Sequence, residues 1–143
     1  MAYKVQYLNP EDRRDVAKCF PIFSILRPKL DEAEFTTRVC VQAEENYKIV
    51  YIEMEDKVVA AAGYRLAHFL AWGKVFYIDD LITLPEKKRL GLGGFLMDWL
   101  IEQANQLRCD EVHLDTGYQR HDAHRLYLNK GLSLNCHHLA RTL

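Results

Sequence analysis

Between residues 75 and 107 the chain reads as a strand, a glycine-bearing basic turn and a helix, and this succession restricts the fold more than any other stretch. Val75-Phe76-Tyr77-Ile78-Asp79-Asp80-Leu81-Ile82-Thr83 is rich in β-branched and aromatic residues, as strands are. Further on, Leu92, Phe95, Leu96, Trp99, Leu100, Ala104 and Leu107 recur at helical spacing and form one apolar stripe. Between them lie three glycines, Gly91, Gly93 and Gly94, and three cations, Lys87, Lys88 and Arg89. The first turn of a helix carries N–H groups without an internal partner and a partial positive charge. Glycine lets a ligand approach those groups closely, so such a turn binds phosphate. With no ligand, the same residues form a loop and a solvated basic run.

Two phosphate motifs compete for this turn. A P-loop needs Gly-Lys-Ser or Gly-Lys-Thr, where this chain has Gly93-Gly94-Phe95. The dinucleotide fingerprint begins at Gly91-Leu92-Gly93, but Leu96 holds the place of its third glycine, and Pro85 to Leu90 separate strand from glycines. Asp110 and Glu111 do fall at the distance of a ribose-binding acid, so a dinucleotide-binding domain with NAD as ligand stays open as an alternative.

The run Lys88-Arg89-Leu90-Gly91-Leu92-Gly93 resembles the Q/R-x-x-G-x-G/A acetyl-CoA motif of the Gcn5-related N-acetyltransferases, the GNAT family. Lys88 stands in the Gln/Arg position; it keeps a donor and loses the planar fork. Downstream, Ala123-His124-Arg125-Leu126-Tyr127-Leu128-Asn129-Lys130-Gly131-Leu132 resembles that family's A-x-x-x-Y-x-x-x-G-[FL] segment. The likeness covers about residues 75 to 133. It implies an α/β, GNAT-like acyl-CoA N-acyltransferase fold with elements in the order β-α-α-β-β-β-α-β-α-β. It further implies a mixed sheet splayed between its fourth and fifth strands, with acetyl-CoA in the opening. A non-catalytic acyl-CoA binding or sensing domain is the competing reading of the same resemblance.

The chain in order fits this scheme. At 143 residues it is expected to form one domain, residues 1–143. Tyr3 to Leu8 alternates as a first strand. Asn9 caps a helix with Pro10 at its first position, running to Phe20 and stopped by Pro21. The apolar stretch from Phe23 to Leu30 is read as irregular and as lining a pocket. Asp31 caps a second helix to Ala43, with Ala33, Phe35, Val39 and Cys40 on its buried side. Tyr47 to Met54 and Lys57 to His68 are strands joined at Glu55-Asp56, with a bulge at Gly63. His68 and Trp72 read as packing and turn residues. Glu111 to Thr116 is a strand, His121 to Asn129 a helix with Gly131 at its C-terminal end, and Leu132 to Thr142 one or two closing strands.

Net charge is −1, so no overall pull toward nucleic acid exists, and the local basic run suits a small anion. No apolar run reaches the ~18 residues of a membrane span. Cys19, Cys40, Cys109 and Cys136 show no metal or redox spacing, and Met1-Ala2-Tyr3-Lys4 is no signal peptide, so a cytoplasmic protein with free thiols is expected.

Moving an acetyl group from a thioester to an amine needs a base, an oxyanion donor and a proton or hydrogen bond for the leaving thiolate. Asp79 and Asp80 are candidate bases. Alternation puts them on opposite faces, and a bulge would change which one faces the acceptor. The resemblance implies Tyr127 as the acid for the CoA sulfur, and backbone groups of Leu81, Ile82 and Thr83 for the oxyanion and the pantetheine arm. It implies Lys88, Arg89, Leu90, Gly91, Leu92, Gly93 and Gly94 for the phosphates. Arg120 stands where many members have an asparagine on the pantetheine arm.

The expected partner is a small-molecule amine. Polyamine acetyltransferases of the family carry an acidic pair at the matching place. The run Gln119-Arg120-His121-Asp122-Ala123-His124-Arg125-Leu126-Tyr127 and the later Cys136-His137-His138 resemble aminoalkylphosphonate acetyltransferases. That likeness implies that His121, His124, Arg125 and His138 help recognise an anionic group. No metal or covalent enzyme intermediate is required, and a homodimer is common in the family.

Overall fold

Five strands form one sheet in chain order: β1 Gln6–Tyr7, β2 Lys48–Met54, β3 Lys57–Phe69, β4 Gly73–Thr83 and β5 Glu111–Leu114. The structure, a computed structural model, describes residues 3–143. The first four strands pair antiparallel, and β4 pairs with β5 in parallel. Four helices accompany them: α1 Arg13–Leu26, α2 Glu32–Ala43, α3 Leu92–Gln106 and α4 His121–Asn129. The order of elements matches the expected one as far as α4. No strand is found after α4 among the described residues, which corrects the closing strands expected over Leu132 to Thr142. That segment alternates in sequence, but Leu134 and Leu139 are exposed, so the pattern has no buried face to satisfy.

The central strand explains the layering. Val58 to Gly63 and Tyr64 are buried without interruption, and successive side chains leave opposite faces of a strand, so both faces of β3 are covered. Helices α1 and α3 both pack on β3 and β4. From α3, Leu92, Leu96, Met97 and Leu100 are fully buried, and Phe95 and Trp99 partly so. The predicted stripe is therefore right except at its end, where Leu107 is exposed, and Met97 joins it.

Helix α1 corrects two expectations. Its N-cap is Asp12, whose side chain accepts from Arg14 N, whereas Asn9 accepts from Glu11 N just ahead of the helix. Pro21 lies inside α1 and does not end it. A proline costs a helix one backbone bond. Here Cys19, Ile22 and Phe23 bury on either side of it, and that burial holds the helix through the defect. In α2, Asp31 is the N-cap as expected, but only Phe35 and Val39 are buried; Ala33 and Cys40 are exposed. The first strand is shorter than the alternation suggested.

The turns agree with the reading. Glu55 and Asp56 both have positive φ, the conformation of the primed hairpin turn. The register of β3 on β4 shifts between Gly63 and Tyr64, which pair with Asp80 and Ile78 and leave Asp79 bulged without a partner. The parallel pairing of β4 with β5 ends at Ile78 and Leu114. Strand β4 runs on to Thr83 with its outer edge unpaired, so the sheet opens between the fourth and fifth strands.

Candidate active site

The glycine turn stands at the far end of this opening. Residues Pro85–Leu90 form a 3-10 turn, and Gly91 (φ 69°) reverses the chain into α3. No side chain caps α3 and no acid occupies its first turn. Phe95 N is the first to bond back into the helix, to Gly91 O, so the N–H groups of Leu92, Gly93 and Gly94 lack intrahelical partners. A Cβ on Gly93 would meet Leu126 at 3.4 Å and Thr83 at 3.7 Å, so the turn is wedged between α4 and the end of β4. Lys88 Nζ lies 4.0 Å from Asp122, and Tyr3 donates to the Leu90 carbonyl at 2.8 Å. None of Lys88 to Gly94 lines either of the two cavities described next.

A cleft of about 510 Å³ fills the splay itself. Leu81 and Ile82 line one side, Arg120 and Tyr127 the other, and Leu26 and Pro28 the rim. Tyr127 is buried, yet no hydrogen bond engages its hydroxyl among the described residues. Burial raises its pKa above the usual phenol value, partly opposed by the Arg120 charge, so the phenol keeps its proton. Thr83 packs beside Gly93 and does not line the cleft.

A larger cavity of about 1060 Å³ opens beside the cleft, and Asp79 and Asp80 both line it. The bulge is the reason: it cancels the alternation that would have sent the two carboxylates to opposite faces. Asp79 accepts from Arg65 Nε at 3.1 Å and Nη2 at 2.7 Å. Burial raises its pKa, and the Arg65 guanidinium works against that rise. Asp80 accepts from Arg27 at 3.1 and 2.9 Å and from the Tyr47 hydroxyl at 2.5 Å. Tyr47 reaches it through a slot at Gly63, where a Cβ would stand 1.7 Å from the phenol oxygen. Burial first, and then the Asp80 charge, hold the Tyr47 phenol well above its usual pKa, so it remains a donor.

The rest of the cavity is mixed. Phe23 of α1, Leu30 of the loop after it, and Phe35 and Val39 of α2 give it an apolar side, so the stretch Phe23 to Leu30 does line a pocket, although its first half is helical and not irregular. His121, His124 and His138 also line it, whereas Arg125 lies outside and pairs with Asp122 at 3.7 Å. Asp115 accepts a short hydrogen bond from Tyr77 and lies 3.3 Å from His138. His68 lines neither cavity, and Trp72 stacks on His113 with ring centroids 4.1 Å apart. Sequence reading missed Arg27, Arg65 and Tyr47. Arg65 did carry a signal, a cation inside the otherwise apolar run of β3.

The sheet is splayed, an uncapped glycine turn stands at the far end of the opening and a tyrosine lies inside it, and comparison with known proteins assigns this architecture to acetyltransferases. The family model described as Acetyltransferase (GNAT) family matches residues 13–132. The chain belongs to the GNAT family and is an acetyltransferase. It is 31% identical over 120 residues to the uncharacterized N-acetyltransferase YhdJ of Bacillus subtilis, covering 82% of this chain and 84% of that protein. It is 37% identical over 54 residues to the aminoalkylphosphonate N-acetyltransferase of Salmonella typhimurium, covering 38% of this chain and 35% of that one. In fold it is similar to the aminoglycoside N-acetyltransferase AAC(6')-Iy, solved in complex with CoA, with TM-score 0.83, 10% identity and coverage of 99% and 95% of the two chains. Family membership sets aside both the dinucleotide-binding and the non-catalytic readings.

Proposed function

We propose that this acetyltransferase transfers the acetyl group of acetyl-CoA directly to a primary amine of a small molecule, with both substrates bound together. One observation carries the reading: the cleft that holds Tyr127 adjoins the cavity that holds the carboxylate pair, the two sharing Arg27, Ile78, Asp79, Leu114, Asp115 and Gly117 as walls.

Acetyl-CoA supplies the acetyl group as a thioester. The residues present fit it: three free N–H groups at Leu92, Gly93 and Gly94, with Lys87, Lys88 and Arg89 in the preceding turn outnumbering its one acid, Glu86, which pairs with Lys57, and no acid in the first turn of α3. The unpaired edge of Leu81, Ile82 and Thr83 offers backbone groups to the pantetheine amides and the oxyanion. Arg120 faces the same cleft.

Asp80 anchors the acceptor ammonium, and Asp79, at the junction of the two cavities, takes its proton. A raised carboxylate pKa brings a base closer to the ammonium it must deprotonate. Tyr127 keeps its proton and donates a hydrogen bond to the departing sulfur; a thiolate whose thiol has pKa ~8.5 is a weaker base than a phenolate, so it is stabilised by that bond without taking the phenol's proton. Positioning and these charges supply the rate.

Among amines, the cavity favours one that also bears an acid, as aminophosphonates do, over a bare polyamine. Both carboxylates already carry a guanidinium partner, and Arg38 and three histidines line the same space. The test is CoA release from acetyl-CoA with 3-aminopropylphosphonate, spermidine and n-butylamine. The aminophosphonate should turn over best, and Tyr127→Phe should lower kcat on the order of 10²-fold with CoA binding kept. No release with any amine rejects the amine-acceptor reading.

A further inference from the structure

Arg27 holds a singular place. It follows the last turn of α1, its side chain is 49% exposed, and it lines both cavities. Its Nε and Nη2 both donate to one oxygen of Asp80, and Nη2 also donates to the Asp79 carbonyl at 3.1 Å. Asp80 itself is only 14% exposed, and its other oxygen is taken by Tyr47. So the accessible acceptors of this site, one carboxylate oxygen and one backbone carbonyl, are both occupied by a cation from the chain itself. These are the acceptors an alkylammonium needs: a counter-charge and a second oxygen within reach of its three donors.

We propose that Arg27 is a specificity-determining residue whose guanidinium occupies the place of the acceptor ammonium, so that every amine enters by exchange with it. This rests on the reading above, in which the amine binds at Asp80. Three features make the exchange workable. Arg27 is half exposed and sits at the start of a loop, so it can withdraw into solvent, whereas Tyr47 is buried and cannot. Tyr47 keeps Asp80 oriented after Arg27 leaves, because its phenol remains protonated and seated against Gly63. And Arg27 stands where the two cavities meet, so its withdrawal clears the route from the acceptor cavity to the Tyr127 cleft. The exchange raises the threshold for weak cations: an internal competitor acts at an effective concentration in the millimolar range. An acceptor with its own acid is favoured, since that acid can meet the displaced guanidinium.

The experiment is a titration of CoA-saturated protein with n-butylamine, followed by NMR, for the wild type, Arg27→Gln and Arg27→Lys. Butylamine carries no acid, so it isolates the ammonium site. Removal of the competitor should tighten butylamine binding about five- to tenfold in Arg27→Gln. Arg27→Lys retains a cation and should remain close to the wild type. A merely structural role for Arg27 would leave binding unchanged or weaken it, and either result overturns the proposal. So does a failure of butylamine to bind any of the three. Saturation with CoA in the same samples reports the acyl-CoA reading separately, so its failure is distinguishable.

Discussion

At the scale of single residues, the site depends on how two adjacent aspartates are each held by a different guanidinium, Asp79 by Arg65 and Asp80 by Arg27. Asp79 is raised by burial and pulled back by Arg65. In the proposed role of proton acceptor it must be ionised, so the proposal predicts that activity is lost as pH falls through its raised folded pKa. Arg65→Gln removes the lowering influence and should move the acid limb of kcat/KM to higher pH, read in a pH–rate profile. A limb that stays or moves down excludes Asp79 as the base. Asp80 depends on Tyr47, and Tyr47 depends on the missing Cβ of Gly63. Gly63→Ala forces the phenol out of its slot and should cost about 1–3 kcal/mol in denaturant unfolding. A bulge at Gly63 was expected from the sequence; the ladder does shift beside it, but the extra residue is Asp79 on the facing strand. That Gly63 is also the seat of a tyrosine from the turn just before β2 was not legible, because only the β2–β3 register brings Ile49 beside it and Tyr47 over it. The same holds for the guanidinium partners: a sequence shows the aspartates, but ion pairs across elements arise from pairing register and loop placement.

At the scale of elements, the strand, glycine turn and helix from β4 to α3 were readable because periodicity, glycine placement and local charge agree there. Helix α1 was read too short because Pro21 is a strong local signal that burial on both sides overrides. The closing strands were overread from alternation alone, a pattern that needs a buried face before it means a strand. The turn itself separates its glycines by role. Gly91 has φ 69° and open space around it, so an added Cβ meets only the left-handed backbone penalty. Gly91→Ala should lower stability by about 1 kcal/mol. Gly93 has an ordinary helical backbone and a flexible leucine at 3.4 Å, so Gly93→Ala should stay within about 0.5 kcal/mol of the parent. Urea unfolding of the two variants side by side checks the contrast; equal losses would contradict the geometry.

At the scale of the molecule, a chain of net charge −1 concentrates three cations at one turn and pairs Asp79 and Asp80 with guanidinium groups in a separate cavity. The fold places these two charge environments at either end of the splay between β4 and β5, with Tyr127 between them. The measurement that tests this account most directly is a thermal-shift titration with acetyl-CoA, CoA and NAD in parallel. A ligand at about 100 times its Kd adds roughly 2.7 kcal/mol to the native state, which for a chain of this size raises Tm by about 5–10 °C. The account predicts that rise with acetyl-CoA and CoA and none with NAD. A rise with NAD alone, or with none of the three, would contradict it.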